Sequence, residues 1–436
     1  MRESRQLVVF LVLASVAAGS MWWYVQRVLI PYEKADAVSH QRPRGNLSDL
    51  YPRWLGAREL LLHHRNPYGT DITAEIQRGY YGRALDSNRP NDPRDQQGFA
   101  YPVYVVFLLA PLVGVPFQVA QIAFYWLLLA LTAGSVWLWL RALQWRLSAL
   151  SIAACVILTL GSFSAVQGIK LQQLSLLVAA LMAAAVACVA GGFLFSSGAL
   201  LALATVKPQL AWPLAAWMLV WAVSDWARRR RFAFGFGMVM GLLLAGAEIV
   251  LPRWWRMFAE ALRQYHRYTQ NHSVLDQLLP WAFAGKIMTG AALAASVFLL
   301  WKLRSASAES PEFGRATALV MALTVLVVPM YAPYNQVLLL PAILVLARDR
   351  KMLFERLRGV RLLYLAGVVA LAWQWIASAC LSGAYLFVSS EWALERWWWP
   401  FFATFATPLL VFALVFLLVG WQGRAASRQL RGGQVS

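Results

Sequence analysis

The feature that most restricts this chain is its succession of apolar runs. From Leu7 to Trp421, stretches long enough to enter a bilayer follow one another, separated by short polar connections and two longer ones. About 20 apolar residues cross the hydrocarbon core as a helix, and a helix satisfies its own backbone there. Composition agrees: 60% of the residues are hydrophobic and 14% charged, where soluble domains carry about 25% charged residues. The expectation is an all-α integral membrane protein, a polytopic helical bundle of about 11–12 membrane segments.

Charge narrows the class further. Lys and Arg number 39 against 20 acidic residues, a net charge of +19. In a soluble chain that balance would point to nucleic acid. Here the arginines stand between apolar runs and no nucleic-acid motif is present, so they read as topology signals and as attraction to anionic lipid or phosphate. Cys155, Cys188 and Cys380 lie within apolar runs without metal-ligand spacing and read as packing residues.

Leu7–Ile30 reads as an uncleaved first span with a cytoplasmic N-terminus, since Arg2 and Arg5 precede it. Residues 31–99 then form a long first loop. Within it, Asn46–Gly69 predicts an amphipathic helix that Ser48 or Asp49 can cap, with Pro52 in its first turn and Asn66-Pro67 at its end. A second short helix runs from Asp71-Ile72 to Tyr80, and Asp86–Gln96 reads as a turn-rich, mobile segment.

Candidate segments follow at 101–115, 118–140, 148–166, 173–191, 193–206, 209–224 and 232–251. After a second outer loop, 252–281, come 282–301, 316–331, 335–347, 361–387 and 398–421, then a basic cytoplasmic tail, 422–436. Residues 1–421 read as one polytopic domain. Basic clusters at Arg228–Arg231, Lys302/Arg304, Arg348–Arg361 and the tail place those connections in the cytoplasm. The two long loops and Tyr331–Gln336 then lie outside. Parity leaves two branches: either 101–115 is re-entrant, the preferred branch, or Arg141 is outside against the positive-inside rule.

Four polar clusters then fall on one side: Asp49 with Tyr51 and Arg53; Gln167–Gln173 with Lys170; Thr205–Gln209 with Lys207; and Arg267–Ser273 joined by Tyr331–Gln336. Ionisable residues at membrane depth cost about 2.5 kcal/mol or more and usually pair or line a wet path. Lys207, with no other charged residue for a dozen positions on either side and followed by Pro208, is the strongest such signal. It reads as a cation for a phosphate, and the plainer possibility is a lysine snorkelling from a helix end. Trp254–Tyr268 predicts an interfacial helix with Trp254, Phe258, Leu262 and Tyr265 on one face. The adjacent His63 and His64 point to different helix faces and do not read as a metal site. There is no P-loop, GxSxG, HExxH or DxD pattern. The expectation is therefore a site without cofactor or built-in metal ligands, and the residues do not say whether a divalent metal assists.

In order along the chain stand SDLYPRW…NPYG (Ser48–Gly69), FAYPVYVVFLLAPL (Phe99–Leu112), LQQLSLLVAAL (Leu171–Leu181), ATVKPQL (Ala204–Leu210) and QNHSV (Gln270–Val274). This series resembles glycosyltransferase family 87, GT-C membrane enzymes that include phosphatidylinositol-mannoside mannosyltransferases. The resemblance covers about residues 1–421. It implies a GT-C-like bundle, a polyprenyl-phosphate sugar donor, a lipid or glycan acceptor, and inversion at the anomeric carbon. It also implies an Asp general base in the first extracytoplasmic loop, which falls on Asp49. The family's Gln and Lys-Pro motifs fall on Gln173 and Lys207-Pro208. Two departures stand out: His272 where a Gln is expected, and Tyr334-Asn335 where mannosyltransferase members carry a His pair.

The expected enzyme is thus a hexosyltransferase of the plasma (inner) membrane, with both termini cytoplasmic and the site outside. Asp49 is its base, and Lys207, Lys170 and Arg267 hold the donor phosphate. Tyr51, Arg53, Gln173, Asn271, His272, Tyr334 and Asn335 bind sugar and acceptor. The alternatives are a transporter or flippase of a lipid-linked substrate and a non-catalytic scaffold. Sugar, acceptor, linkage and oligomeric state are not legible in the residues.

Overall fold

The structure is a computed structural model that describes residues 2–432, apart from 44, 46, 47, 87, 270, 271, 282, 330, 356 and 357. Side chains are described for residues 5–421 of that set, except 268 and 269. Among the described residues every regular element is helical.

The first apolar helix, α1 (Arg2–Tyr24), passes through a π turn, Val25–Leu29, into α2 (Ile30–Ser39). It therefore overruns the predicted boundary at Ile30. Pro31 cannot donate to the regular ladder, and the π turn just before it absorbs that gap. No glycine or proline then interrupts the helix before it ends. The first loop carries α3 (Leu50–His63) and α4 (Thr70–Tyr81), as the motif spacing predicts. His64, with φ 55°, ends α3 in the left-handed conformation. Arg65 locks the two helices together through Glu59 (2.8 Å), Asp71 (2.9 Å) and Glu75 (2.6 Å).

The turn-rich segment 86–96 carries side-chain bonds at several of its described residues. Arg83 pairs with Asp92, the Asp86 amide donates to Asp92 Oδ2 (2.8 Å), and Gln77 Nε2 donates to the Gln96 carbonyl (3.0 Å). Turn-rich composition marked the irregular path there. Next come α5 (Val105–Leu109) and a 3-10 turn, Ala110–Leu112. α5 has five residues, fewer than the roughly 20 that a helix needs to cross a bilayer. Trp54 Nε1 donates to the Leu112 carbonyl (2.9 Å) and fixes α3 to this turn.

The remaining helices follow the apolar runs closely. They are α6 (Phe117–Ala142), α7 (Ala149–Leu160), α8 (Phe163–Lys170), α9 (Leu174–Ala190), α10 (Leu194–Ala204), α11 (Pro208–Val223) and α12 (Trp226–Val250). Then come α13 (Trp254–Thr269), α14 (Val274–Leu278), α15 (Ala284–Lys302), α16 (Pro311–Val327), α17 (Leu340–Arg348) and α18 (Arg350–Phe354). The last are α19 (Arg358–Ala384), α20 (Ser390–Glu395) and α21 (Ala406–Gly432). Among the described residues, six stretches are long and apolar enough to cross a membrane, or seven if α7 and α8, bent by 57°, form one broken span. The predicted segments thus divide into long helices and the shorter apolar α9, α10, α11 and Pro333–Arg348.

Shortness coincides with interior position. Much of α9 and nearly all of α16 are buried. α9 packs on α6 and α10, and α16 packs on α21. α10 and α12 cross at glycines: a Cβ on Gly198 would run into the Phe232 carbonyl, and one on Gly235 into the Phe195 carbonyl. Small residues at such a crossing let helix backbones touch where lipid offers no hydrophobic drive.

Candidate active site

One turn of the bundle, between α8 and α9, fixes the start of α3. There Gln172 adopts a left-handed conformation (φ 54°), which turns the chain and exposes the Leu171 carbonyl. That carbonyl accepts from the Asp49 amide (3.0 Å). Ser48 Oγ donates to Gln172 Oε1, and Gln172 Nε2 reaches the Gln121 carbonyl (2.7 Å). Asp49 is therefore fixed in backbone before its side chain does anything.

Asp49 stands at the N-cap position of α3, yet its carboxylate makes no capping bond. Instead Gln173 Nε2 donates to Asp49 Oδ2, and the Tyr80 hydroxyl lies 3.5 Å from Oδ1. The helix-cap explanation of this residue is thereby removed. Gln173 Oε1 in turn accepts from Lys207 Nζ (3.4 Å), and Lys207 donates more closely to Ser175 Oγ (2.6 Å). Ser175 donates to Asn335 Oδ1 (2.8 Å), and Lys207 Nζ lies 5.1 Å from the centre of the Tyr334 ring. One hydrogen-bonded line thus runs Asn335–Ser175–Lys207–Gln173–Asp49. Four of its members come from sequence positions singled out above; Ser175, inside LQQLSLL, did not stand out.

Asp49, Gln173, Lys207 and Tyr334 open onto one cavity of about 580 Å³, a volume suited to an organic ligand. Arg53 also lines it, with its guanidinium bonded to the Asp49 carbonyl and lying 4.8 Å from the centre of the Tyr101 ring. The wall from α11 and α13 is apolar, built by Trp212, Phe258 and Leu262, with Tyr265 beyond them. The predicted apolar face of α13 thus turns inward onto the cavity, with Trp254 buried behind it and Trp255 exposed. Burial holds the Asp49 carboxyl above its ordinary value, and the neighbouring Asp95 adds to this. Arg53, Lys207 and the Gln173 bond oppose the rise without cancelling it.

Several predicted site residues lie elsewhere. Lys170 does not line the cavity; its Nζ pairs with Glu33 of α2 at 3.2 Å. That pairing exists because the first helix continues past Ile30. Tyr51 packs against Trp54 and Phe117, and its hydroxyl fills the space over Gly79. Arg267 lines a smaller adjoining cavity of about 280 Å³ rather than the main one. His272 is exposed and away from both; its carbonyl accepts from the Tyr331 amide (3.0 Å). Asn271 lies outside the described residues. His63 lies 3.3 Å from Glu59, and among the described residues no group of three His, Cys, Asp or Glu is placed to hold a metal ion.

Tyr101, Tyr265 and Asp95 are among the cavity residues without a role in the site as read from the sequence. Tyr101 stood within the Phe99–Leu112 motif without a role of its own. Tyr265 read as part of the apolar face of an interfacial helix. Asp95 was one acid among several in a polar stretch and carried no sequence signal at all.

Comparison with known families bears on the same region. The model of glycosyltransferase family 87 matches residues 99–329, more than half of the chain. The matched span holds Tyr101, Gln173, Lys207 and Tyr265. A search of curated proteins finds no match. A family match of that extent, carried by an all-helical polytopic bundle, makes this chain a membrane glycosyltransferase and a member of glycosyltransferase family 87.

Proposed function

We propose that the cavity transfers a hexose, with mannose the first choice, from a polyprenyl-phosphate sugar to a hydroxyl of a lipid or glycan acceptor. The reaction is placed on the extracytoplasmic face and inverts the anomeric carbon. The observation that carries this reading is the placement of Asp49 and Lys207 on one cavity, joined through Gln173, beside an apolar wall.

The acceptor oxygen must lose its proton as it bonds to the anomeric carbon. Asp49 takes that proton, and the carboxylate that Gln173 and Tyr80 hold is already oriented for it. As the new C–O bond forms, the bond from the anomeric carbon to the phosphate oxygen breaks. The electron pair leaves with the polyprenyl phosphate. A phosphate monoester leaves as an anion and needs cations rather than an acid, and Lys207 and Arg53 supply them from fixed positions. A single displacement puts the new bond opposite the old one, hence inversion. Ser175 and Asn335 keep Lys207 from collapsing onto Asp49. Trp212, Phe258 and Leu262 offer apolar surface to the first isoprene units.

Purified protein in proteoliposomes, given radiolabelled polyprenyl-phosphate mannose and a membrane lipid extract, tests this. The expected result is a labelled extract component that water-soluble nucleotide-linked mannose does not produce. Labelling from the nucleotide sugar alone would overturn the donor class, and labelling from another polyprenyl-phosphate hexose would replace the sugar.

A further inference from the structure

The cavity holds a second carboxylate, Asp95, for which the reaction above has no task. It is held as deliberately as Asp49. The Gln97 amide donates to Asp95 Oδ1 and Gln97 Nε2 to Oδ2, both at 2.9 Å. Gln97 does this from a left-handed conformation, φ 53°, that a residue with a side chain adopts at a cost. The C-terminal end of α4 ties the two acids together. The Tyr80 hydroxyl reaches the Asp49 carboxylate, the Tyr81 hydroxyl donates to the Asp95 carbonyl (3.1 Å), and the two rings meet edge-on at 4.9 Å. Asp95 therefore belongs to the base's side of the cavity.

A negative charge there opposes binding of an anionic donor, so the phosphate does not account for it. A neutral, hydroxyl-rich ligand does: a carboxylate with both oxygens oriented retains acceptor capacity for a hydroxyl proton. Direct displacement brings the acceptor in from the base's side, opposite the leaving phosphate. We propose that Asp95 is an acceptor-binding residue, gripping a hydroxyl of a sugar or cyclitol ring and presenting the neighbouring hydroxyl to Asp49. This rests on the glycosyl transfer proposed above. Its charge also acts on Asp49 itself, beside those of Arg53 and Lys207. Among the described residues, the other titratable groups near that carboxylate include Tyr80 and Tyr81 at the end of α4, Tyr101, Tyr265 and His266 of α13, and Tyr331 and Tyr334.

The test compares wild type, Asp95→Asn and Asp95→Glu in proteoliposomes, with polyprenyl-phosphate mannose as donor and a membrane lipid extract as acceptor. Asp95→Asn should raise the apparent KM for the extract at least tenfold and leave the donor KM within twofold. Its acid limb of kcat/KM should move to lower pH, and Asp95→Glu should recover most of the loss. An unchanged acceptor KM, or an equal rise in both KM values, overturns the proposal. A second measurement needs no turnover: a hydrophobic carbodiimide, which attacks protonated carboxyls, is reacted across pH and Asp49 modification is read by mass spectrometry. Half-labelling should require a lower pH in Asp95→Asn than in wild type, and coincident curves would refute the coupling. Asp49→Asn separates the two readings. Undiminished transfer in that variant, with the acceptor KM still raised by Asp95→Asn, removes the base and keeps the acceptor site. Failure of wild type with every polyprenyl-phosphate hexose removes both.

Discussion

At the scale of single residues, the proposed mechanism gives a task to two buried ionisable groups, Asp49 and Lys207, that burial alone would disfavour. A buried carboxylate with a raised proton affinity is a base that fails at higher pH than an ordinary Asp, whose value is about 3.8. The sign follows directly: transfer needs the carboxylate form, so kcat/KM should be flat at neutral pH and fall on acidification, with its midpoint above that value. A pH–rate profile in proteoliposomes checks this, and a limb at or below the ordinary value would contradict it. Lys207→Met should lower kcat by roughly 100-fold or more, as loss of a fixed charge-stabilising donor usually does. Lys207→Arg should recover little, because Ser175 and Gln173 enclose a compact ammonium. Lys207 was legible in the sequence because a lone cation deep in an apolar run has few uses. Lys170 looked similar and was misleading, since its partner Glu33 comes from a helix extension that no local pattern announced. Asp95 was invisible because its meaning depends on Gln97, Tyr81 and a cavity assembled from distant segments.

At the scale of elements, the apolar runs foretold most of the longer helices after α5, because burial in lipid and burial in protein demand the same composition. Not foretold were the short α14, α18 and α20, the break between α7 and α8, or the ends of α21. The runs could not say which helices lie inside the bundle. α9 and α10 read as membrane segments and prove short and central, and their contacts decide that, not their hydropathy. The α10–α12 crossing gives a direct check. Gly235→Leu meets the Phe195 backbone, and overpacking of this kind costs about 1–3 kcal/mol. Gly237→Leu, with nothing within 4 Å, should be nearly silent. Thermal unfolding in detergent should separate the two, and equal melting temperatures would remove the close crossing. The same comparison applies to Gly79, over which the Tyr51 hydroxyl lies.

At the scale of the whole molecule, the first loop, α13 and the Tyr331–Tyr334 connection meet around one cavity, while the Arg228–Arg231 cluster stands at the start of α12. The proposed topology, read from the positive-inside rule, puts these regions on opposite faces of the membrane. In a variant lacking Cys155, Cys188 and Cys380, Arg78→Cys should react with an impermeant maleimide in intact cells. Arg228→Cys should react only after permeabilisation, and the reverse pattern would invert the topology. Family membership supplies the reaction class, glycosyl transfer in a membrane, and the cavity supplies the residues that would perform it. The central claim is that Asp49 is the base. Its most direct test is sugar transfer from polyprenyl-phosphate mannose to a membrane lipid extract by wild type and Asp49→Asn, with donor binding and melting temperature measured on both. The account predicts that Asp49→Asn folds, binds donor, and loses transfer by roughly 100-fold or more. Transfer at the wild-type rate by a folded Asp49→Asn protein would contradict it.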